Sequence, residues 1–131
     1  MKSPDSSSVK IILVVEDEPA ICEICRRVLT SLGFEVELAV NGKVAQDMIG
    51  EKQHTLCLID IRTPVMNGME FYQWLEEKHP QLAKRVIFTT GNAVEGDTQH
   101  FLEQAARPFI PKPFAPGELV ALVKETLKQV E

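Results

Sequence analysis

The sequence has no long apolar run. Its longest is Ile11 to Val15, far short of the roughly 20 residues that span a bilayer. Met1 to Lys10 has no apolar signal core either, so a cytoplasmic domain without membrane contact is expected. Basic residues are in deficit, with Lys plus Arg 14 against Asp plus Glu 19 and a formal charge of −5. No basic stripe can form, which argues against direct nucleic-acid binding. Cysteines number three, Cys22, Cys25 and Cys57, an odd set with no second pair at metal spacing, so neither a disulfide framework nor a zinc site is expected. Cys22 and Cys25 form C-x-x-C inside a helical pattern, away from the helix start that would stabilise a thiolate, and read as packing residues. His54, His79 and His100 share no metal-ligand spacing, and none reads as catalytic.

What is present fits one globular domain. A chain of 131 residues lies in the usual single-domain range, and 44% apolar with 25% charged residues is ordinary for a folded protein. Residues 1–9, MKSPDSSSV, read as a flexible leader or linker remnant, leaving 10–131 for the domain. From there short β-type runs alternate with helix-period segments five times, the pattern of a parallel sheet covered on both faces. Strands are expected at Ile11 to Val15, Phe34 to Val40, Leu56 to Ile59, Val86 to Phe88 and Phe109 to Ile110. The second is a half-exposed or edge strand. The last is flanked by Pro108 and Pro111 and should be an edge.

Helices are expected from Pro19 to a stop at Gly33, from Gly42 to Glu51 with Val44, Ala45, Met48 and Ile49 inward, and around Phe71, Trp74 and Leu75 up to Pro80. A fourth runs from a cap at Asp97 to Ala106. The last, Pro116 to Gln129, turns Leu119, Leu122, Val123, Leu127 and Val130 inward.

In a doubly wound parallel sheet the active site lies beyond the carboxyl ends of the strands. There the sequence places Glu16 and Asp17 after strand one, Asp60 after strand three, Thr90 after strand four and Lys112 after strand five. Crowded carboxylates repel unless a cation neutralises them, and Mg²⁺, or Mn²⁺, suits an all-oxygen site. Asp17, Asp60 and the backbone carbonyl of Arg62 are the candidate direct ligands, with Glu16 acting through water. The set suits phosphoryl transfer: Asp60 attacks phosphorus and becomes an aspartyl phosphate, the cation and Lys112 neutralise the equatorial oxygens, and Thr90 donates a hydrogen bond.

These residues resemble those of response regulator receiver domains. The match is carried by VVEDEP, by Asp60 in LCLIDIRTPVMNGMEF, by Thr90-Gly91 and by IPKPF around Lys112, over about Lys10 to Val130. The resemblance implies a flavodoxin-like (βα)5 fold with strand order 2-1-3-4-5. It also implies a histidine kinase, a histidine phosphotransfer protein or a small phosphodonor as the source of the phosphoryl group, and a cis Lys112-Pro113 bond. Phe109 falls at the position of a switch aromatic that repacks when the Thr90 hydroxyl moves. Arg62 and Asn92, two positions after Asp60 and Thr90, would tune phosphoryl lifetime. One departure stands out: the family's Gly-Ala pair before strand five is replaced by Ala105-Ala106-Arg107-Pro108, so that exit should be shaped differently.

Each residue alone has a plainer reading, Glu16-Asp17 as solvated loop, Asp60 and Thr90 as caps, Lys112 as a surface lysine; their concurrence in order carries the assignment. Phe71 and Trp74 read as core. A flavin or dinucleotide protein would need a glycine-rich cradle where EDEP stands, and an aspartyl phosphatase would need a different acidic pattern on strand one. A phosphorylation-independent binding module would need a broken acidic pocket. A stand-alone regulator, a relay intermediate and the receiver of a hybrid sensor histidine kinase all remain compatible, as does a phosphorylation-dependent homodimer. The output protein or domain is unknown.

Overall fold

The computed structural model describes residues 10–91 and 96–130. Asn92 and the leader therefore lie outside the described residues, as does the Val130 side chain. The elements in order are β1 (Ile11–Val15), α1 (Pro19–Ser31), β2 (Glu35–Ala39), α2 (Gly42–Ile49), β3 (Leu56–Asp60), α3 (Gly68–Lys78), α4 (Pro80–Ala83), β4 (Val86–Thr90), α5 (Gly96–Ala105), β5 (Phe109–Pro111) and α6 (Pro116–Val130). The strands form one five-stranded parallel sheet in the order β2-β1-β3-β4-β5, as expected.

Alternation along the strands divides the core between the two faces. Leu13, Val15, Cys57, Ile59 and Phe88 pack with Ala45, Ile49, Phe71, Leu75 and Leu102 from α2, α3 and α5. Ile12, Val14, Leu58 and Ile87 pack with Cys25, Leu29, Leu119 and Val123 from α1 and α6. The central strands β3 and β4 are buried throughout, which explains the apolar runs that lead up to Asp60 and Thr89. Tyr72, Phe88 and Phe101 meet edge to face, with ring centroids 5.2 to 5.9 Å apart, the geometry favoured by aromatic quadrupoles.

Local chemistry sets the helix ends. Pro19 opens α1. Gly33 closes it in the left-handed conformation (φ 95°) and donates its N–H to the Thr30 carbonyl at 2.9 Å, satisfying a terminal acceptor. Asn41 caps α2 through Val44 N–H at 3.0 Å, and Asn67 forms a reciprocal capping box with Glu70 on α3.

Two sequence expectations need correction. Asp97 is not the cap of α5: the helix begins at Gly96, so Asp97 stands in its first turn, where a carboxylate is still favoured by the helix dipole. Val44 is 37% exposed, because α2 packs through Ala45 and Ile49, which puts Val44 at the margin of the buried stripe. On β2, Leu38 is exposed, as is Val40 just beyond it, while Ala39 is buried, in keeping with the half-exposed edge strand expected there.

The altered exit of α5 is visible as Ala106 in the left-handed conformation (φ 55°). Glycine occupies such a position without the Cβ penalty that alanine bears. The Lys112-Pro113 peptide is cis.

Candidate functional site

The carboxyl ends of β1, β3, β4 and β5 bring the polar residues to one rim. Glu16 and Asp17 leave β1, Asp60 ends β3, Thr90 ends β4, and Lys112 follows β5. In register, Asp60 lies beside Thr89, so Thr90 stands one residue farther out, and the Lys112 N–H donates to the Thr90 carbonyl at 2.8 Å. Thr90, Asp60 and Glu16 are buried.

One ligand oxygen from each of Glu16, Asp17 and Asp60 can be chosen so that all three lie within 4.8 Å of one another. Lys112 Nζ sits among carboxylates, 2.9 Å from Glu16 Oε1, 3.2 Å from Asp60 Oδ2 and 2.9 Å from Glu18 Oε1. Backbone groups add to this frame: Arg62 N–H donates to Asp60 Oδ1 at 3.1 Å and Glu18 N–H to Glu16 Oε2 at 3.1 Å. Glu16, Glu18 and Asp60 thus share the one Lys112 ammonium, and Asp17 lies beside Glu16 and Asp60. The donor set is hard oxygen with a surplus of negative charge, which fits a small divalent cation.

The electrostatics record the crowding. Burial pushes the Glu16 carboxyl up, the Lys112 hydrogen bond opposes it, the Asp60 charge adds to the rise, and the result is about 7. Burial alone would lower the Lys112 ammonium, but its bonds to Glu18 and Glu16 and the charge of Asp60 outweigh that, and it is raised. Cys22 Sγ donates to the Glu16 carbonyl at 3.4 Å. Burial, then the Glu16 and Asp17 charges, raise its thiol, and burial raises Cys25 to about 12. Neither thiol has the electropositive setting of a reactive cysteine.

Close packing holds Asp60 in place. A Cβ on Gly68 would come within 2.5 Å of the Asp60 carbonyl oxygen, so only glycine lets the start of α3 lie against the end of β3. Gly68 N–H donates to the Ile61 carbonyl at 2.9 Å. Between them the loop of residues 61–67 carries Val65, 83% exposed and at φ 70°, a strained conformation for a β-branched residue. A cleft of about 590 Å³ opens beside the carboxylates, lined by Asp17, Arg62, Thr63, Asn67, Asp97 and Thr98 among others.

Phe109 lies on the edge strand, paired in register with Phe88, and is 42% exposed. The residue that sequence reasoning missed is Glu18. It reads as one more acid in EDEP, and nothing local signals that an ammonium 94 positions away will reach it.

Comparison with known proteins adds context. The chain is 33% identical over 117 residues to the response regulator Rre1 of Synechocystis, covering 88% of this chain and 51% of that one. It spans about half the length of the curated relatives it matches. Among solved structures it resembles a CheY-like response regulator receiver domain protein from Methanospirillum hungatei (TM-score 0.84, 29% identity, 93% and 96% of the two chains). It also resembles the receiver domain of the sensor histidine kinase PA1611 from Pseudomonas aeruginosa (TM-score 0.79, 28% identity, 92% and 98%), a structure with a magnesium ion coordinated in its active-site cleft. Residues 12–124 match the family of the response regulator receiver domain, and the chain belongs to that family.

Proposed function

We propose that this chain is a Mg²⁺-dependent phosphoryl-accepting switch of two-component signalling, with Asp60 as the acceptor. The observation that carries the reading is the surplus of carboxylates around Lys112 Nζ, which itself touches both Glu16 and Asp60. Such a rim is satisfied by adding a divalent cation and then an anionic group between them.

Glu16, Asp17, Asp60 and the Arg62 carbonyl would hold the ion. When bound, it supplies charge neutralisation of the phosphoryl oxygens. An Asp60 carboxylate oxygen forms a bond to phosphorus as the bond from phosphorus to the donor breaks; for a phosphohistidine the leaving imidazole nitrogen takes up a proton. Lys112 neutralises an equatorial oxygen, and the Thr90 hydroxyl and the amides after Asp60 donate hydrogen bonds. Hydrolysis by water returns the carboxylate and inorganic phosphate. Arg62, two positions after Asp60 in the sequence, and Asn92, two after Thr90 and outside the described residues, are the residues proposed to tune how long it lasts. Movement of Thr90 toward the phosphoryl group couples to repacking of Phe109, and the changed face governs an output partner or a homodimer.

A histidine kinase or histidine phosphotransfer protein is the proposed donor, supported by the likeness to a receiver from a sensor histidine kinase. That likeness also supports the alternative that the domain serves a hybrid kinase or a phosphorelay. Among the described residues no helix is long and apolar enough to cross a membrane.

The test is intact-mass spectrometry after incubation with acetyl phosphate and Mg²⁺. The wild type is expected to gain one phosphoryl group and Asp60→Asn none; equal labelling of the variant would overturn the assignment.

A further inference from the structure

We propose that Glu18 is a positioning residue that holds Lys112 in the resting domain and yields it to the incoming phosphoryl group. The inference rests on the phosphoacceptor reading above. A lysine ammonium has three N–H donors, and here three carboxylates take them: Glu16 at 2.9 Å, Glu18 at 2.9 Å and Asp60 at 3.2 Å. A phosphoryl oxygen that arrives while Asp60 is still an unreacted carboxylate can gain Lys112 only by displacing one of the three.

Burial decides which one leaves. The side chains of Glu16 and Asp60 are 2% and 5% exposed, that of Glu18 is 60% exposed. A buried carboxylate stripped of its cation keeps a large desolvation penalty, whereas Glu18 is re-solvated by water on release. Glu18 is the N-cap of α1, and its side chain makes no cap hydrogen bond that release from Lys112 would have to keep. Its backbone N–H is meanwhile tied to Glu16 Oε2, which keeps it within reach. Glu18 makes and breaks no covalent bond; it exchanges one ion pair for water while Lys112 passes to the phosphoryl oxygen.

Two substitutions separate this from a general charge effect. Glu18→Gln removes the charge, and Glu18→Asp keeps it but is one methylene too short to reach Nζ. Both are expected to speed labelling by acetyl phosphate and to tighten fluoroberyllate binding, followed by fluorine NMR, about two- to five-fold, the worth of one exposed ion pair. Glu18→Asp behaving like wild type while Glu18→Gln accelerates would reduce the effect to distant charge and overturn the proposal. In a Lys112→Met background, judged folded by circular dichroism, Glu18→Gln is expected to change fluoroberyllate affinity no further; a persisting effect would also overturn it. If the wild type takes no phosphoryl group, the phosphoacceptor reading and this inference fall together. If it does and both Glu18 variants match it, this inference alone falls.

Discussion

Two lysines hold carboxylates at opposite ends of the sheet. At the carboxyl ends Lys112, only 10% exposed, serves three acids, with Asp17 beside them. At the amino-terminal end Lys52, half exposed, binds Glu37 at 2.7 Å and Glu35 at 3.9 Å, and the buried His54 adds its Nε2 to Glu37 at 2.8 Å. The acids respond in opposite directions. Glu16 is pushed up by burial and by Asp60 despite its lysine. Glu37, which burial would raise, is lowered on balance by its bonds to Lys52 and His54. One cluster is left with excess charge that a cation can relieve; the other is already compensated and fastens β2 to the segment entering β3. An ion pair by itself therefore says little about function, and the balance of charge around it says more.

The comparison can be broken most sharply with metal. Asp17→Asn is expected to weaken Mg²⁺ binding by about a hundredfold or more, since a full charge next to the ion is lost, while Glu37→Gln leaves it unchanged by calorimetric titration. Unaltered affinity in Asp17→Asn would place the ion elsewhere. Next in size is Gly68→Ala, whose Cβ meets Asp60 backbone at 2.5 Å; urea unfolding should show a loss of about 2–3 kcal/mol, the upper range for overpacking.

Stability without metal should then move in opposite directions at the two ends. Asp60→Asn relieves like-charge crowding and is expected to leave the melting temperature unchanged or raise it. Glu37→Ala strips the partner from His54 Nε2, whose Nδ1 is also buried without a hydrogen bond among the described residues, and should cost about 1–3 kcal/mol. Because the Glu37 value is lowered from 4.5, its contribution is present above that pH and is lost as pH falls through the lowered value. The stability gap between wild type and Glu37→Ala should accordingly narrow in urea melts at pH 3 relative to pH 7. The smallest effect belongs to Ala106→Gly. It relieves a left-handed alanine at φ 55° and should raise stability by up to about 1 kcal/mol, with no change in Mg²⁺ affinity.

Much of this was legible from the chain. The unbroken apolar runs of β1, β3 and β4 announced central parallel strands, and Asp60, Thr90 and Lys112 could be placed because each directly ends or follows such a run. Gly68 stands in the motif that carries Asp60, yet only the packing shows that it lies against the Asp60 backbone. Val44 and Asp97 were misplaced by a fraction of a turn and by one residue, the scale at which helical periodicity ceases to discriminate. The His54–Glu37 pair left no signal, since its partners sit 17 positions apart on different elements.

The sequence by itself determined the alternation of strands and helices and which end of each strand is polar, because both follow from local periodicity and from where an apolar run stops. Only the tertiary structure decided that Glu18 shares Lys112 with Glu16 and Asp60, and that Lys52 and His54 share Glu37. Those contacts depend on which strands lie side by side and how far each side chain is removed from water, and neither quantity is encoded in spacing along the chain.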